Sequence, residues 1–295
     1  MRKVLTKPPS TLLLNAKAAV SMVPGASHLP FVGPAGGDDV PDDELVLQDL
    51  VADPGHVGRY REVCGFSPGS KVPGSYPHVL AFPLHLAVLT SPRFPFPAIG
   101  MVHLTNQITQ HRPIDVSERL SIRVSASALE PHPSGRQLSF RTSAWVGDEL
   151  VWEDISGYLR RERRGGSDEQ EAPSSPPTPI PSSTTWRVPR SVGWRYAMVS
   201  GDHNPIHVHW LPAKLFGLPD VIAPGMWTKA RCLAQLESRL PDAYTVEVQF
   251  LRPLTMPAEV AFGSWPEGSG LGFAVHNPEK AATYLLGRVE PVEAR

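Results

Sequence analysis

Residues 196–225 read YAMVSGDHNPIHVHWLPAKLFGLPDVIAPG. This span holds a carboxylate (Asp202), an amide (Asn204), an imidazole (His207) and a glycine able to offer a bare backbone N–H (Gly225). On one continuous α-helix Asp202 and His207 would stand about 140° apart, too far round to act together. The pairs Gly201-Asp202 and Asn204-Pro205 are turn formers. The sequence therefore predicts a helix ending near Ser200, a tight loop that folds Asp202 back, and a new helical turn from Pro205 capped by Asn204. Such a bend can point both side chains into one cleft.

Downstream, residues 225–240 form an apolar helical stretch. Residues 244–252, 258–264, 270–276 and 282–290 then alternate β-branched and aromatic positions in the manner of strands. The first half of the chain has the same order. Residues 78–90 (HVLAFPLHLAVLT) are apolar almost all round, with Pro83 placed to kink them, and a helix of that kind has to be buried. Strand-like segments follow at 101–109, 120–127, 138–146 and 150–159, joined by turns such as Pro131 to Gly135 and Gly147-Asp148. Each half thus predicts a central helix wrapped by a curved antiparallel sheet, an α+β arrangement. The halves also echo each other in detail. Ile108, Arg112, Pro113, Ile114 and Leu120 recur 140 positions later as Val248, Arg252, Pro253, Leu254 and Val260, which argues for two copies of one unit.

Between the copies, residues 165–183 (GGSDEQEAPSSPPTPIPSS) are too polar and too rich in proline to fold alone and read as an extended linker. Just before it Arg160, Arg161, Arg163 and Arg164 form a basic cluster. A solvated strand end is the simplest account of it, and contact with phosphates or an acidic protein is the alternative. Residues 31–43 and 67–77 read as loops, and 53–61 carry polar helix formers.

With 295 residues, 41% hydrophobic and 19% charged, the chain is long enough for one large domain or two small ones. A net charge of −1 supplies no field to attract nucleic acid. Cys64 and Cys232 are the only cysteines and build no disulfide framework, which suits a reducing, cytoplasmic setting. At the N-terminus, basic residues precede an apolar stretch over residues 11–23, but Asn15 and Lys17 interrupt it. No stretch reaches the roughly 20 apolar residues a bilayer span needs. A short surface helix or arm is expected there.

The run Ser-Gly-Asp-x-Asn-Pro-Ile-His (200–207), followed by Ala213, Gly217 and then Gly225, 23 positions after Asp202, resembles the hydratase-2 motif of MaoC-like (R)-specific enoyl-thioester hydratases and 3-hydroxyacyl-thioester dehydratases. In particular it is similar to the two-hotdog branch, and the likeness extends over residues 29–289. That resemblance implies a double hotdog: an N-terminal arm (1–28), a degenerate N-terminal hotdog lining the acyl pocket (29–164), the linker (165–183) and a catalytic C-terminal hotdog (184–295). It also implies reversible dehydration of (R)-3-hydroxyacyl thioesters to trans-2-enoyl thioesters in fatty-acid metabolism. Such a reaction needs a base, an acid and a stabiliser for an enolate oxygen. By resemblance, Asp202 and His207 form the catalytic dyad, with Asn204 and Ser200 in support. Gly225 gives the oxyanion N–H, and Tyr196, Pro224 and Met226 face the substrate.

The resemblance further implies an acyl-CoA or acyl-carrier-protein substrate, no metal or redox cofactor, and a monomeric pseudo-dimer or a homodimer. Alternatives remain: a thioesterase of the same fold, a non-catalytic acyl-thioester-binding protein, or a metal site built from His203, His207, His209 and Asp202, which Pro205 argues against by interrupting the helix between His203 and His207. Two positions depart from the family pattern. Pro224 stands where a His is usual, and His209 where an acidic or amide residue is usual.

Overall fold

The computed structural model describes residues 1–20, 40–97, 100–161, 179–280 and 282–292. The apolar run ending near residue 90 forms α3 (Tyr76–Leu89), with Pro83 inside it and most side chains buried. Its counterpart is α7 (Gly225–Leu236), shorter than the 225–240 expected because the chain tightens into a 3₁₀ turn over Glu237–Arg239.

Around α3 the first half places β2 (Glu44–Val51), β3 (Met101–Gln110), β4 (Arg119–Ala126), β6 (Gly135–Val146) and β7 (Glu149–Arg161). Around α7 lie β8 (Thr184–Val188), β9 (Tyr244–Phe250), β10 (Ala258–Glu267), β11 (Gly270–His276) and β12 (Thr283–Pro291). The halves join edge to edge in one sheet of order β2-β4-β6-β7-β3-β9-β12-β11-β10-β8. It is extended beyond β2 by β1 (Arg2–Leu5), which pairs parallel, and flanked by the short β5 (Glu130–His132) on β6.

The 140-residue repeat explains the seam. In the antiparallel β3–β9 pair, Gln107 faces Glu247, Asn106 faces Val248 and Ile108 faces Val246. Gln107 therefore meets its own repeat equivalent, and its two neighbours exchange partners symmetrically, so a pseudo-twofold axis runs through that pair. The approaches to the two central helices repeat as well. Val72 N donates to Ile114 O and Ala223 N to Leu254 O, each at 2.8 Å, an offset of 151 on the donor side. The central helix and four following strands of each copy were expected. The leading strands β2 and β8 were not, because they are short or interrupted and pair with strands far along the chain, β1 and β4 for β2 and β10 for β8.

Each half also carries a helix before its central one, α2 (Pro54–Cys64) and α4 (Ser191–Ser200). Asp53 caps α2 by accepting from Gly55 N and His56 N, and Gly65 closes it in the left-handed region. At the N-terminus α1 (Thr11–Val20) is helical as expected but is more than a surface arm. It packs on α3, and Ala18 is only 5% exposed, because the small residues on its inner face allow close approach. The predicted loop over residues 31–39 and most of the predicted linker, including Arg163 and Arg164, lie outside the described residues. No helix among the described residues is long and apolar enough to cross a membrane. Cys64 and Cys232 are buried as free thiols.

Candidate active site

α4 ends at Gly201, whose φ of +74° lets its N–H return to Ala197 O at 2.9 Å. A side chain in that left-handed conformation would cost about 1–2 kcal/mol. The chain then reverses. Asp202 N donates to Ser200 Oγ (3.1 Å), and Asn204 N donates to Asp202 Oδ1 (3.2 Å). Asn204 Oδ1 accepts from Ile206 N and opens the single turn α5 (Pro205–Val208). The bend read from the sequence is present, and it sets Asp202 Oδ2 3.9 Å from His207 Nε2.

His207 is nearly buried, and its Nδ1 lies 2.8 Å from Ile222 O. A carbonyl oxygen only accepts, so Nδ1 carries a proton, and Nε2 is the ring nitrogen turned to Asp202. The distance of 3.9 Å is too long for a direct hydrogen bond and suits a hydroxyl or water held between the two groups. Ile222 N donates back to Ile206 O (3.1 Å), so the segment ahead of α7 is pinned to α5 on one side and to Leu254 O, through Ala223 N, on the other.

That pinning accounts for Pro224. Its carbonyl accepts from Thr228 N and Thr228 Oγ1, while main-chain bonds from Ile222 and Ala223 hold the turn without a side chain at this position. Gly225 N, first in α7, has no intrahelical partner and sits at the positive end of the helix. A Cβ on Gly225 would come within 2.9 Å of Phe250 Cε1, so close packing of that ring requires glycine there.

Asp202, His207, Asn204, Ser200, Gly225, Tyr196, Pro224 and Met226 all border one cavity of about 450 Å³. The cavity continues into the first half along α3, past Val79, Phe82, Leu86 and Leu89. Arg161, at the end of β7, borders it too. His209 does not. Its Nδ1 accepts from Leu211 N (3.2 Å), capping α6 (Trp210–Leu215), and its ring lies on Trp210. His203 packs edge-on to Trp194. Among the described residues no three His, Cys, Asp or Glu side chains are grouped as a metal ligand set.

Sequence reading missed two supports of this site. A Cβ on Gly193 would lie 1.8 Å from His207 O, so α4 and α5 pack backbone to backbone at this point. The signal was a glycine inside a helical stretch. The other is Asn15 on α1, which donates from Nδ2 to Gly201 O at 2.9 Å and borders the cavity with Ala18 and Ala19. The signal was the very Asn that breaks the apolar run near the N-terminus.

Comparison with known proteins places this geometry in a family. Residues 169–285 match the family model described as MaoC like domain. The chain is 36% identical over 254 residues, 85% of its length and 90% of the relative's, to 3-hydroxyacyl-thioester dehydratase X of Mycobacterium tuberculosis. The crystal structure of HtdX of Mycobacterium tuberculosis superposes with a TM-score of 0.76 at 34% identity, covering 84% of this chain and all (100%) of that one. A Mycobacterium tuberculosis protein described as having a double hotdog fold matches at TM-score 0.56 and 15% identity over 86% of this chain and 98% of that one, a likeness of fold alone. The chain belongs to the MaoC-like family and has the double hotdog fold.

Proposed function

We propose that the protein is a hydro-lyase that interconverts 3-hydroxyacyl thioesters and trans-2-enoyl thioesters in fatty-acid metabolism, with the (R) configuration that its motif implies. The observation that carries this is the placement of the His207 ring: Nδ1 lies 2.8 Å from the Ile222 carbonyl, to which it can only donate, and Nε2 faces Asp202 at 3.9 Å. In dehydration, Nε2 takes the proton from C2 while the thioester oxygen gains charge against the Gly225 N–H. Asp202 holds the C3 hydroxyl. As the C3–O bond breaks, the proton passes from His207 to the departing oxygen, giving enoyl thioester and water and returning the imidazole to its starting form.

Asn204 acts through its backbone N–H on Asp202 and its side-chain cap on α5, and Ser200 through the N–H of Asp202. The first half serves as acyl pocket, since α3 supplies an apolar stripe to the cavity and no counterpart of the Asp202–His207 bend. The relative's name supports the reaction class. Hydration of crotonyl-CoA, followed as loss of the enoyl absorbance, tests it. His207→Ala and Asp202→Ala should each lose roughly 10²- to 10⁴-fold in kcat. Free thiol released in place of hydration would make the protein a thioesterase, and wild-type rates in both variants would remove the dyad.

A further inference from the structure

Along the cavity the first half presents polar groups that the dehydration chemistry does not use. β3 and β7 pair in regular register from Thr105 onward, but Tyr158 faces His103 while Gly157 faces Thr105, leaving Leu104 as an extra residue. Such a bulge re-aims the side chains beyond it. Asn106, Ile108 and Gln110 face inward by alternation, and the extra residue turns His103 to that same inward face. His103 stacks on Tyr158 (4.4 Å between centroids) and reaches the ring of Phe250 (5.0 Å), the residue that packs on Gly225.

The ring of His103 has no hydrogen-bond partner among the described residues; its Nε2 is shielded, which leaves Nδ1 as the nitrogen that a molecule in the cavity can reach. Beside it, in parallel at 6.3 Å, lies His78, which also borders the cavity. His78 is 4% exposed and donates from Nδ1 to Asp154 Oδ2 at 2.7 Å. Asp154 also accepts from Asn106 Nδ2 (2.9 Å) and Ser156 Oγ (2.7 Å). Burial alone would raise the Asp154 carboxyl, but His78 and these donors hold it well below the usual carboxylate range. Burial, then the neighbouring His78, pushes His103 down to about 3, so its ring stays neutral.

We infer that His103, with His78 behind it, is a specificity-determining site for a neutral polar group, a hydroxyl or a carbonyl oxygen, carried on the acyl chain beyond C4. With a chain in the cavity and water displaced, an unpaired Nδ1 costs about 1–3 kcal/mol, and a group on that chain that donates to it or accepts from it removes the cost. A neutral ring offers one N–H and one lone pair, which suits a hydroxyl or oxo group and not a carboxylate. This rests on the proposed acyl-thioester reaction.

The test is a panel of trans-2-enoyl-CoA substrates of one chain length, either plain or bearing a single hydroxyl or oxo group at successive carbons from C5, with crotonyl-CoA as the shortest chain. The wild-type enzyme should favour at least one substituted chain over the plain one by roughly tenfold in kcat/KM. His103→Phe, which keeps the stack on Tyr158, should erase that preference, read as the ratio of kcat/KM for substituted over plain chains, and His103→Gln should restore part of it. The inference is overturned if no substituted chain is preferred, or if His103→Phe slows plain and substituted chains by the same factor. Absence of crotonyl-CoA hydration in the wild type would instead remove the underlying reaction, and this inference with it.

Discussion

Gly74 and Gly225 stand at equivalent places, each leading into the central helix of its half 151 positions apart, yet only one of them faces open space. In front of Gly225 lies the cavity, with Phe250 to one side. At Gly74 a Cβ would fall 2.1 Å from the Tyr244 hydroxyl and 2.9 Å from Gln110 Oε1, and Gly74 O is taken by Trp152 Nε1 at 2.7 Å. Tyr60, Tyr76 and Phe66 fill the surrounding space with stacked and edge-on rings. The connection between the paired helices makes the difference. It spans residues 65–75 in the first half and 201–224 in the second, where the longer segment holds the Asp202–His207 bend, α5 and α6. One scaffold thus supplies a helix N-terminus twice and keeps it accessible once.

The sharpest test of that contrast is a pair of alanines. Gly225→Ala pushes Phe250 and displaces the N–H donor, so kcat should fall about 10²- to 10³-fold with the fold kept. Gly74→Ala should instead lower stability by about 1–3 kcal/mol through overpacking, read in a urea titration, with kcat in the folded protein unchanged. If Gly74→Ala slowed turnover as much as Gly225→Ala, the two glycines would not differ in role. Next in size is Gly193→Ala. Its Cβ would drive α4 off the His207 carbonyl, and a shift near 1 Å costs up to about 10²-fold; an unchanged pH–rate profile and kcat would show that α5 does not depend on α4 for its position.

Asn15→Ala removes one hydrogen bond to the Gly201 carbonyl beside Asp202. A loss of up to about tenfold in kcat, with KM for crotonyl-CoA little altered, is expected from a bond of that kind, and Asn15→Gln should recover part of it. An effect confined to KM would place Asn15 on the substrate and not on the loop.

The smallest expected effect concerns His78 and Lys229, which occupy equivalent positions on α3 and α7 and converge on the central strands. His78 reaches Asp154, and Lys229 Nζ donates to Asn106 Oδ1 and to the carbonyls of Asn106 (3.1 Å) and Val246 (3.2 Å). Burial pushes Lys229 from its usual 10.5 down to about 7. Between those values the unfolded chain holds a proton that the folded chain has released, so stability should climb as pH rises through that window. Lys229→Met should flatten the climb in urea titrations at pH 7 and pH 9, and equal slopes in the two proteins would count against a buried, titrating lysine.

Much of this was written locally. The turn pairs around Asp202 and Pro205, the two apolar helices and the following strands are short-range patterns, and the 140-residue echo reported two copies of one unit, which the structure joins about the pseudo-twofold axis at Gln107 and Glu247. The leading strands β2 and β8 were not legible, since a strand whose partners lie far along the chain has little periodicity of its own. Asn15 was visible only as a flaw in an apolar run.

The sequence by itself determined the bend, the motif that placed the chain in its family, and the doubling of the fold, because each depends on residues close together or on a fixed repeat. Only the tertiary structure decided which central helix keeps its N-terminus open, that α1 closes over Gly201, and that a bulge at Leu104 turns His103 into the cavity beside His78. Those outcomes depend on which side chains from distant segments fill a given volume, and no local pattern records that.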